Sequence, residues 1–216
     1  MPCRNGSEDA SVISGVIGGT FYRPVTPGGY TLWEVVSEME GSAPVVVLRI
    51  GHRPGRDERI TTHVGLTARA LGADRVVLAN SATSRAETIR DITDRFGGPF
   101  AVDQTTRPLE YIEDWAGAVV HLTMYGLPIQ DVEADIRNHQ ADDTPLLVVV
   151  GAEKVPFDVY ELADWNVAVT NQPHSEIASL AVFLDHLFES RQLDREWKDA
   201  DRVVVPKETG KQVDTQ

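Results

Sequence analysis

Behind a short run at Val45–Ile50 the chain reads Gly51-His52-Arg53-Pro54-Gly55-Arg56-Asp57-Glu58-Arg59-Ile60-Thr61-Thr62-His63-Val64, which places three arginines and two histidines within fourteen residues. Guanidinium groups grip phosphates and supply positive charge to a developing anion, and imidazoles move protons. A loop has no packing reason to collect such groups in an acidic chain. It reads as a site for an anion, and a polyanionic backbone is the natural candidate. Asp57 is read as a partner for the arginines around it.

Three further loops carry unusual residues. Gly151-Ala152-Glu153-Lys154-Val155-Pro156 follows an apolar run; glycine and alanine there let backbone approach a ligand closely. A solvated pair with Glu153 explains Lys154 equally well. Thr170-Asn171-Gln172-Pro173-His174-Ser175-Glu176 offers amides and backbone N–H groups to a ring edge or a carboxylate, although a helix capped by Ser175 or Asn171 accounts for the same residues. Thr123-Met124-Tyr125-Gly126-Leu127-Pro128 could cover a flat ring or be ordinary core. His121 is more simply a satisfied core histidine than a ligand.

The elements that position these loops alternate. Strands are expected at Val45–Ile50, Arg75–Ala79, Phe100–Val102, Ala118–Leu122, Leu146–Val150 and Val167–Val169. Helices are expected at Thr62–Leu71, Ser84–Phe96, Leu109–Trp115, Ile129–Asn138, Phe157–Ala163 and Ser175–Phe188. The second should open on a Ser84–Glu87 capping box and end at Gly97-Gly98. The fold class is α/β, a mainly parallel sheet with helices on both faces. Ligands of such sheets gather beyond the carboxyl ends of the strands, where the four loops fall. The helix at 175–188 is apolar nearly all round, with Val182 and Phe183 opposite its main stripe, which suggests a subunit interface.

Residues 1–43 stand apart as a Gly-, Ser- and Pro-rich N-terminal extension, non-native or flexible; Met39, just ahead of the first convincing strand, is read as the native start. Gly15-Val16-Ile17-Gly18-Gly19 is a weak nucleotide-loop signal because no helix pattern follows it. The catalytic domain is placed at 44–201, and 202–216 is a polar, mobile tail with one possible strand at Val203–Val205.

Composition narrows the class. The chain has 216 residues, 42% of them hydrophobic, and a net charge of −13. Only four cations are lysine, at 154, 198, 207 and 211, and the other sixteen are arginine. Lysine-poor, aspartate-rich surfaces suit a very salty cytoplasm, so a halophilic archaeon is the expected source and charge acts only at contact range. No apolar run reaches the ~20 residues of a membrane helix, and Cys3 alone allows no internal disulfide. A cytoplasmic protein without membrane or metal partners is expected. Walker and GxSxG motifs are absent, and the six histidines form no HxxxH pair.

The segments VLRIGHRPGRDERITTHVGLTARALGA (47–73), VVHLTMYG (119–126), VVVGAEKVP (148–156) and ADWNVAVTNQPHSEIASLAVFLD (163–185) together resemble the archaeal tRNA cytidine-56 2′-O-methyltransferases, of the SPOUT class. The resemblance covers roughly residues 44–190. It implies a C-terminal trefoil knot, a homodimer, a tRNA substrate and S-adenosyl-L-methionine as methyl donor. The donor would lie against Leu122, Gly151, Ala152, Glu153, Lys154, Val155, Val169, Thr170, Asn171, Gln172, Pro173, His174, Ser175 and Glu176. Arg59, His63 and Arg69 are the candidates for activating a ribose hydroxyl, and Arg53 and Arg56 for holding tRNA phosphates. Alternative readings are a SPOUT methyltransferase acting on another RNA position or base, and a non-enzymatic RNA-binding α/β protein.

Overall fold

A computed structural model describes residues 43–51, 57–79, 83–142, 144–152 and 154–216. The extension at 1–42, Arg53, Arg56 and Glu153 lie outside the described residues, and so do the expectations placed on them. The elements are β1 (Val45–Ile50), α1 (Glu58–Ala70), β2 (Arg75–Ala79), α2 (Thr83–Phe96), β3 (Ala101–Thr105), α3 (Pro108–Glu113), β4 (Ala118–Pro128), α4 (Ile129–Ala141), β5 (Leu146–Gly151), α5 (Phe157–Leu162), β6 (Trp165–Ala168), α6 (Glu176–Phe188), β7 (Arg202–Val205) and β8 (Gln212–Thr215).

The first six strands form one sheet in the order β3-β2-β1-β5-β4-β6, parallel throughout. Alternate residues of each strand feed two cores. Val45, Val47, Leu146, Val148 and Val150 pack with apolar residues of α1, α2, α4 and α6. Val46, Leu48, Leu147 and Val149 pack on the other face with Ile112 of α3 and Val159 of α5. Burial on both faces is why β1 and β5 read as near-continuous apolar runs.

Several local expectations shift. Helix α1 begins at Glu58, four residues before the expected Thr62. Asp57 is its N-cap residue; it is fully buried, and its carbonyl accepts from Thr61 N at 2.8 Å. Helix α2 starts at Thr83, so Ser84 lies inside its first turn and the capping box has no place; the Ser84 carbonyl accepts from Thr88 Oγ1. Helix α6 is apolar all round because α1 and α4 flank it within the chain. Phe183 and Leu187 are buried there, while Ala178 and Val182, the latter 40% exposed, face outward. No described helix is long and apolar enough to cross a membrane.

The tail is ordered differently from expectation. β7 pairs antiparallel with β8 as a separate hairpin, taking in the strand expected at Val203–Val205. Its root is held by the end of α2. Gly97 has φ +74° and Gly98 donates to the Lys198 carbonyl at 2.9 Å. A Cβ on Gly97 would lie 2.2 Å from Lys198 O and 2.9 Å from Ala200 N. Gly97→Ala combines left-handed strain with a backbone clash, so it should cost about 2 kcal/mol or more and lower Tm by roughly 4–8 °C. Gly210→Ala, also at positive φ but with nothing within 4 Å, should cost far less. Thermal unfolding followed by circular dichroism checks both, and equal losses would refute the clasp.

Candidate active site

The register lines up the loop-bearing strand ends. Ile50 pairs with Gly151, Leu122 with Val150, and Leu122 again with Val167. The carboxyl ends of β1, β5, β4 and β6 thus form a row of four strands, about 15 Å wide at ~4.8 Å spacing. This edge is where a parallel α/β sheet holds ligands.

Strand β4 has an irregularity here that sets the shape of the edge. Leu122 and Leu127 both register with Val167, so residues 123–126 bulge out and return to the same neighbour. The return needs glycine at 126. A Cβ there would sit 2.3 Å from the Asn166 carbonyl oxygen and 2.5 Å from Val167 N. Asn171 clamps the bulge from the loop after β6, donating through Nδ2 to the carbonyls of Met124 at 2.8 Å and Gly126 at 3.1 Å. Asn171 is therefore a tie between two loops rather than the helix cap. Ser175 is the cap, its Oγ accepting from Ala178 N at 3.2 Å.

The rest of the edge follows. Ala152 N donates to the Ile50 carbonyl at 2.9 Å, and Gly51, at φ +72°, has its α-carbon turned toward Ala152. The loop after β5 thus folds back onto β1. Lys154 is exposed, while Val155 and Val169 are partly buried against the two cores. Thr170, Gln172, Pro173 and His174 are exposed, and His174 Nδ1 contacts the Gln172 carbonyl at 2.6 Å. Glu176 is tied to the sheet, accepting through Oε1 from Arg49 Nη2 at 2.9 Å. Arg49, 1% exposed within β1, was not singled out in the sequence. Its signal was a lone cation in an otherwise apolar strand.

Of the candidate catalytic residues, two come to this edge and one does not. Helices that follow parallel strands run back antiparallel to them, so α1 begins at the carboxyl edge. Arg59 and His63, one turn apart in α1, are both exposed near its start. Arg69 is ten residues on, about 15 Å further along the helix axis. It is buried, donates through Nη2 to the Gly97 carbonyl at 2.5 Å, and lies 4.3 Å from the Trp197 ring centroid. Burial, and then the charge of Arg195, push its pKa down. Arg69 holds the root of the hairpin and stands apart from Arg59 and His63.

Beneath the bulge is a polar network. Asn166 Nδ2 donates to the Tyr160 carbonyl at 2.9 Å, which turns Oδ1 toward His121 Nδ1, 2.8 Å away. His121 therefore donates through Nδ1. Its ring meets Tyr160 edge-on at 4.6 Å, and the Tyr160 hydroxyl reaches Thr123 Oγ1 at 3.2 Å. His121 is a core residue as expected and joins β4 to β6, but it is only half satisfied: its Nε2 is buried without a hydrogen-bond partner. No group of acidic, histidine or cysteine side chains suited to a metal occurs among the described residues.

The edge thus gathers Leu122 and Val169 from one core, Val155 from the other, the exposed polar side chains of the 170–174 loop and the cationic start of α1. The fold is that of the SPOUT RNA methyltransferases. A structure from Porphyromonas gingivalis, of a protein assigned to the TrmH family of RNA methyltransferases, aligns over 68% of this chain and 59% of its own with a TM-score of 0.50 and 13% identity. The model of the tRNA ribose 2′-O-methyltransferase family, aTrm56, matches residues 96–214. A tRNA (cytidine(56)-2′-O)-methyltransferase of Natronomonas pharaonis is 72% identical over 176 residues, 82% of this chain and 97% of the relative. One from Haloarcula marismortui is 71% identical over 175 residues, 81% of this chain and 97% of the relative. The chain belongs to the tRNA (cytidine(56)-2′-O)-methyltransferase family. The halophilic archaeal origin of these relatives agrees with its arginine-for-lysine composition.

Burial pushes the His121 imidazole below its ordinary value of 6.5, with the Asn166 hydrogen bond acting the other way. The folded state therefore takes up the proton less readily than the unfolded chain. Stability should be full above pH 6.5 and decline as pH falls through the window below it, by at most about 1.4 kcal/mol per unit. His121→Leu should unfold at lower temperature at pH 7.5 but with a shallower loss of Tm down to pH 5. Parallel pH slopes in the two proteins would show that His121 does not carry the effect.

Proposed function

We propose that this protein methylates the ribose 2′-hydroxyl of cytidine 56 in the T-loop of tRNA, using S-adenosyl-L-methionine. The observation that carries this is the gathering of the 122–128, 151–155 and 169–176 loops and the start of α1 at one sheet edge, in a chain that matches the family over nearly its relatives' full length. The residues present fit the donor. Leu122, Val155 and Val169 offer apolar groups at this edge for an adenine ring, and Thr170 and Gln172 provide polar groups. Gly151 and Ala152 allow backbone to come close. When bound, S-adenosyl-L-methionine supplies a methyl group made electrophilic by its sulfonium.

The chain's own task is to position and activate the hydroxyl. The 2′-oxygen attacks the methyl carbon in line, a C–O bond forms as the C–S bond breaks, and the hydroxyl proton departs. Orientation contributes most, because the electrophile needs no further activation. Arg59 is proposed to stabilise negative charge growing on the 2′-oxygen and His63 to take the proton. Arg53 and Arg56, in the same cationic loop, are proposed to hold phosphates on either side of the target. Arg69 is not part of this proposal, given its place at the hairpin root.

Three finer features extend the reading. The chain passes from β4 inward to β5 and then outward across β4 to β6, a path that supports threading as a trefoil knot. The outward-facing Val182 on α6 supports assembly as a homodimer. A tRNA-modifying role supports residence in the cytoplasm.

Methylation of unmodified archaeal tRNA with labelled donor, followed by nucleotide mapping, tests the function. Label at cytidine 56 is expected, whereas label on a base or at another position assigns a different RNA target. Arg59→Ala should lower kcat at least about 100-fold, the scale of losing one charge-stabilising donor, while donor affinity by calorimetry stays within about threefold; an unchanged rate removes Arg59 from the mechanism. Asn171→Ala should weaken donor binding about tenfold or more by freeing the Met124–Gly126 bulge, the equivalent of ~1.4 kcal/mol. Unaltered binding would show that the clamp does not shape the donor site.

A further inference from the structure

The β7–β8 hairpin lies outside the six-stranded sheet, and the chemistry above does not use it. Two strands alone are marginally stable in water, and exposed apolar pairs on them invite a partner. The register separates its two faces. Arg202 pairs with Thr215 and Val204 with Val213, so these four share one face; Val203, Val205, Gln212 and Asp214 share the other. Val203 and Val205 are partly buried on the side toward α2. The outer face is open, with Val204 60% and Val213 50% exposed.

The charges on that outer face are one-sided. In a chain of net charge −13 the strip of Arg202, Val204, Val213 and Thr215 contains no acid. The connecting turn, 206–211, adds Lys207 and Lys211 against Glu208 alone. Three of the chain's four lysines fall between 198 and 211, although arginine is used almost everywhere else. Among the described residues no carboxylate makes an ion pair with Arg202, Lys207 or Lys211. Gly210, at φ +87° with open space around it, lets the turn lie close against a surface.

We propose that the outer face and turn of this hairpin form a second RNA contact, which grips a sugar–phosphate stretch of the substrate away from the methylated nucleotide. The lysines and Arg202 meet phosphates, and the Val204–Val213 pair packs on ribose. This rests on tRNA being the substrate. Position supports separate action. The hairpin root is clasped at the C-terminal end of α2, which lies at the amino edge of the sheet, opposite the active site and about 17–20 Å from it, one strand length. The family match also runs to residue 214, well past the last donor loop, so the hairpin belongs to what defines the family.

The test pairs Lys207→Gln with Lys211→Gln and, separately, Val204→Ser with Val213→Ser. Both double variants keep the active-site residues. Steady-state methylation of a full tRNA transcript should show KM raised about tenfold, with kcat and donor affinity within twofold. The lysine pair should also lower the slope of log KM against log[KCl] by about 1.4–1.8, the loss of two phosphate contacts, and Lys207→Arg with Lys211→Arg should restore both. An unchanged KM and salt slope overturns the proposal. So does a valine variant that sediments as a smaller species with wild-type tRNA affinity, since the covering partner is then a second copy of the chain. If the wild-type protein methylates no tRNA, the functional reading fails by itself. Direct tRNA binding by mobility shift then decides the hairpin independently: weaker binding by the lysine variant supports it, and equal binding refutes it.

Discussion

Arg49 lies in the central strand β1 at 1% exposure, and its Nη2 donates to Glu176 Oε1 at 2.9 Å. A buried guanidinium left without its carboxylate costs several kcal/mol, on the order of 3–5. The pair therefore holds the first turn of α6 over the carboxyl end of β1. Everything between β6 and α6 is then confined to a short span of chain. Residues 169–175 have to cross the ends of β4 and β6, which brings Asn171 to the β4 bulge and Ser175 to the start of the helix.

The bulge is the second half of that constraint. With Leu122 and Leu127 both in register with Val167, β4 leaves the sheet and comes back to the same neighbour. Only glycine at 126 permits so close a return to the β6 backbone. The excursion is then fixed from both sides, by Asn171 above and by the Tyr160 hydroxyl on Thr123 below. His121 and Asn166 extend these ties from β4 to β6, with His121 Nε2 left buried and without a hydrogen-bond partner. The course of the β4 bulge is thereby set by backbone geometry and hydrogen bonds.

The direction of α1 separates residues that look alike in the sequence. Arg59 and Arg69 are both arginines of one helix, ten positions apart. The helix starts at the carboxyl edge and ends at the amino edge, so one guanidinium is exposed at the carboxyl edge and the other is buried against Trp197 and the Gly97 carbonyl. Arg69 thus supports the hairpin root, and the two ends of one helix serve opposite edges of the sheet.

The sequence by itself determined the local features. Two-sided apolar runs identified β1 and β5, and alternation of strands and helices gave the parallel α/β class. The positions of the strand ends showed which loops would gather, and GHRPGRDERITTHV with NQPHSE indicated the family. These are readable because each depends on neighbouring residues and a fixed period. Tertiary structure decided what depends on distant partners. Whether Asn171 caps a helix or ties a bulge depends on carbonyls 45 and 47 residues away. Arg49 reads as an oddity in a strand until Glu176, 127 residues on, is placed beside it. The apolar stripe of α6 has α1 and α4 as its neighbours within the chain, which its own period could not name. The polar C-terminal residues read as a tail until the register of β7 with β8 sorts them into an acid-free face and a packed one. Periodicity shows which side of an element is apolar; it cannot show what lies opposite, because that is fixed by chain segments far away in sequence.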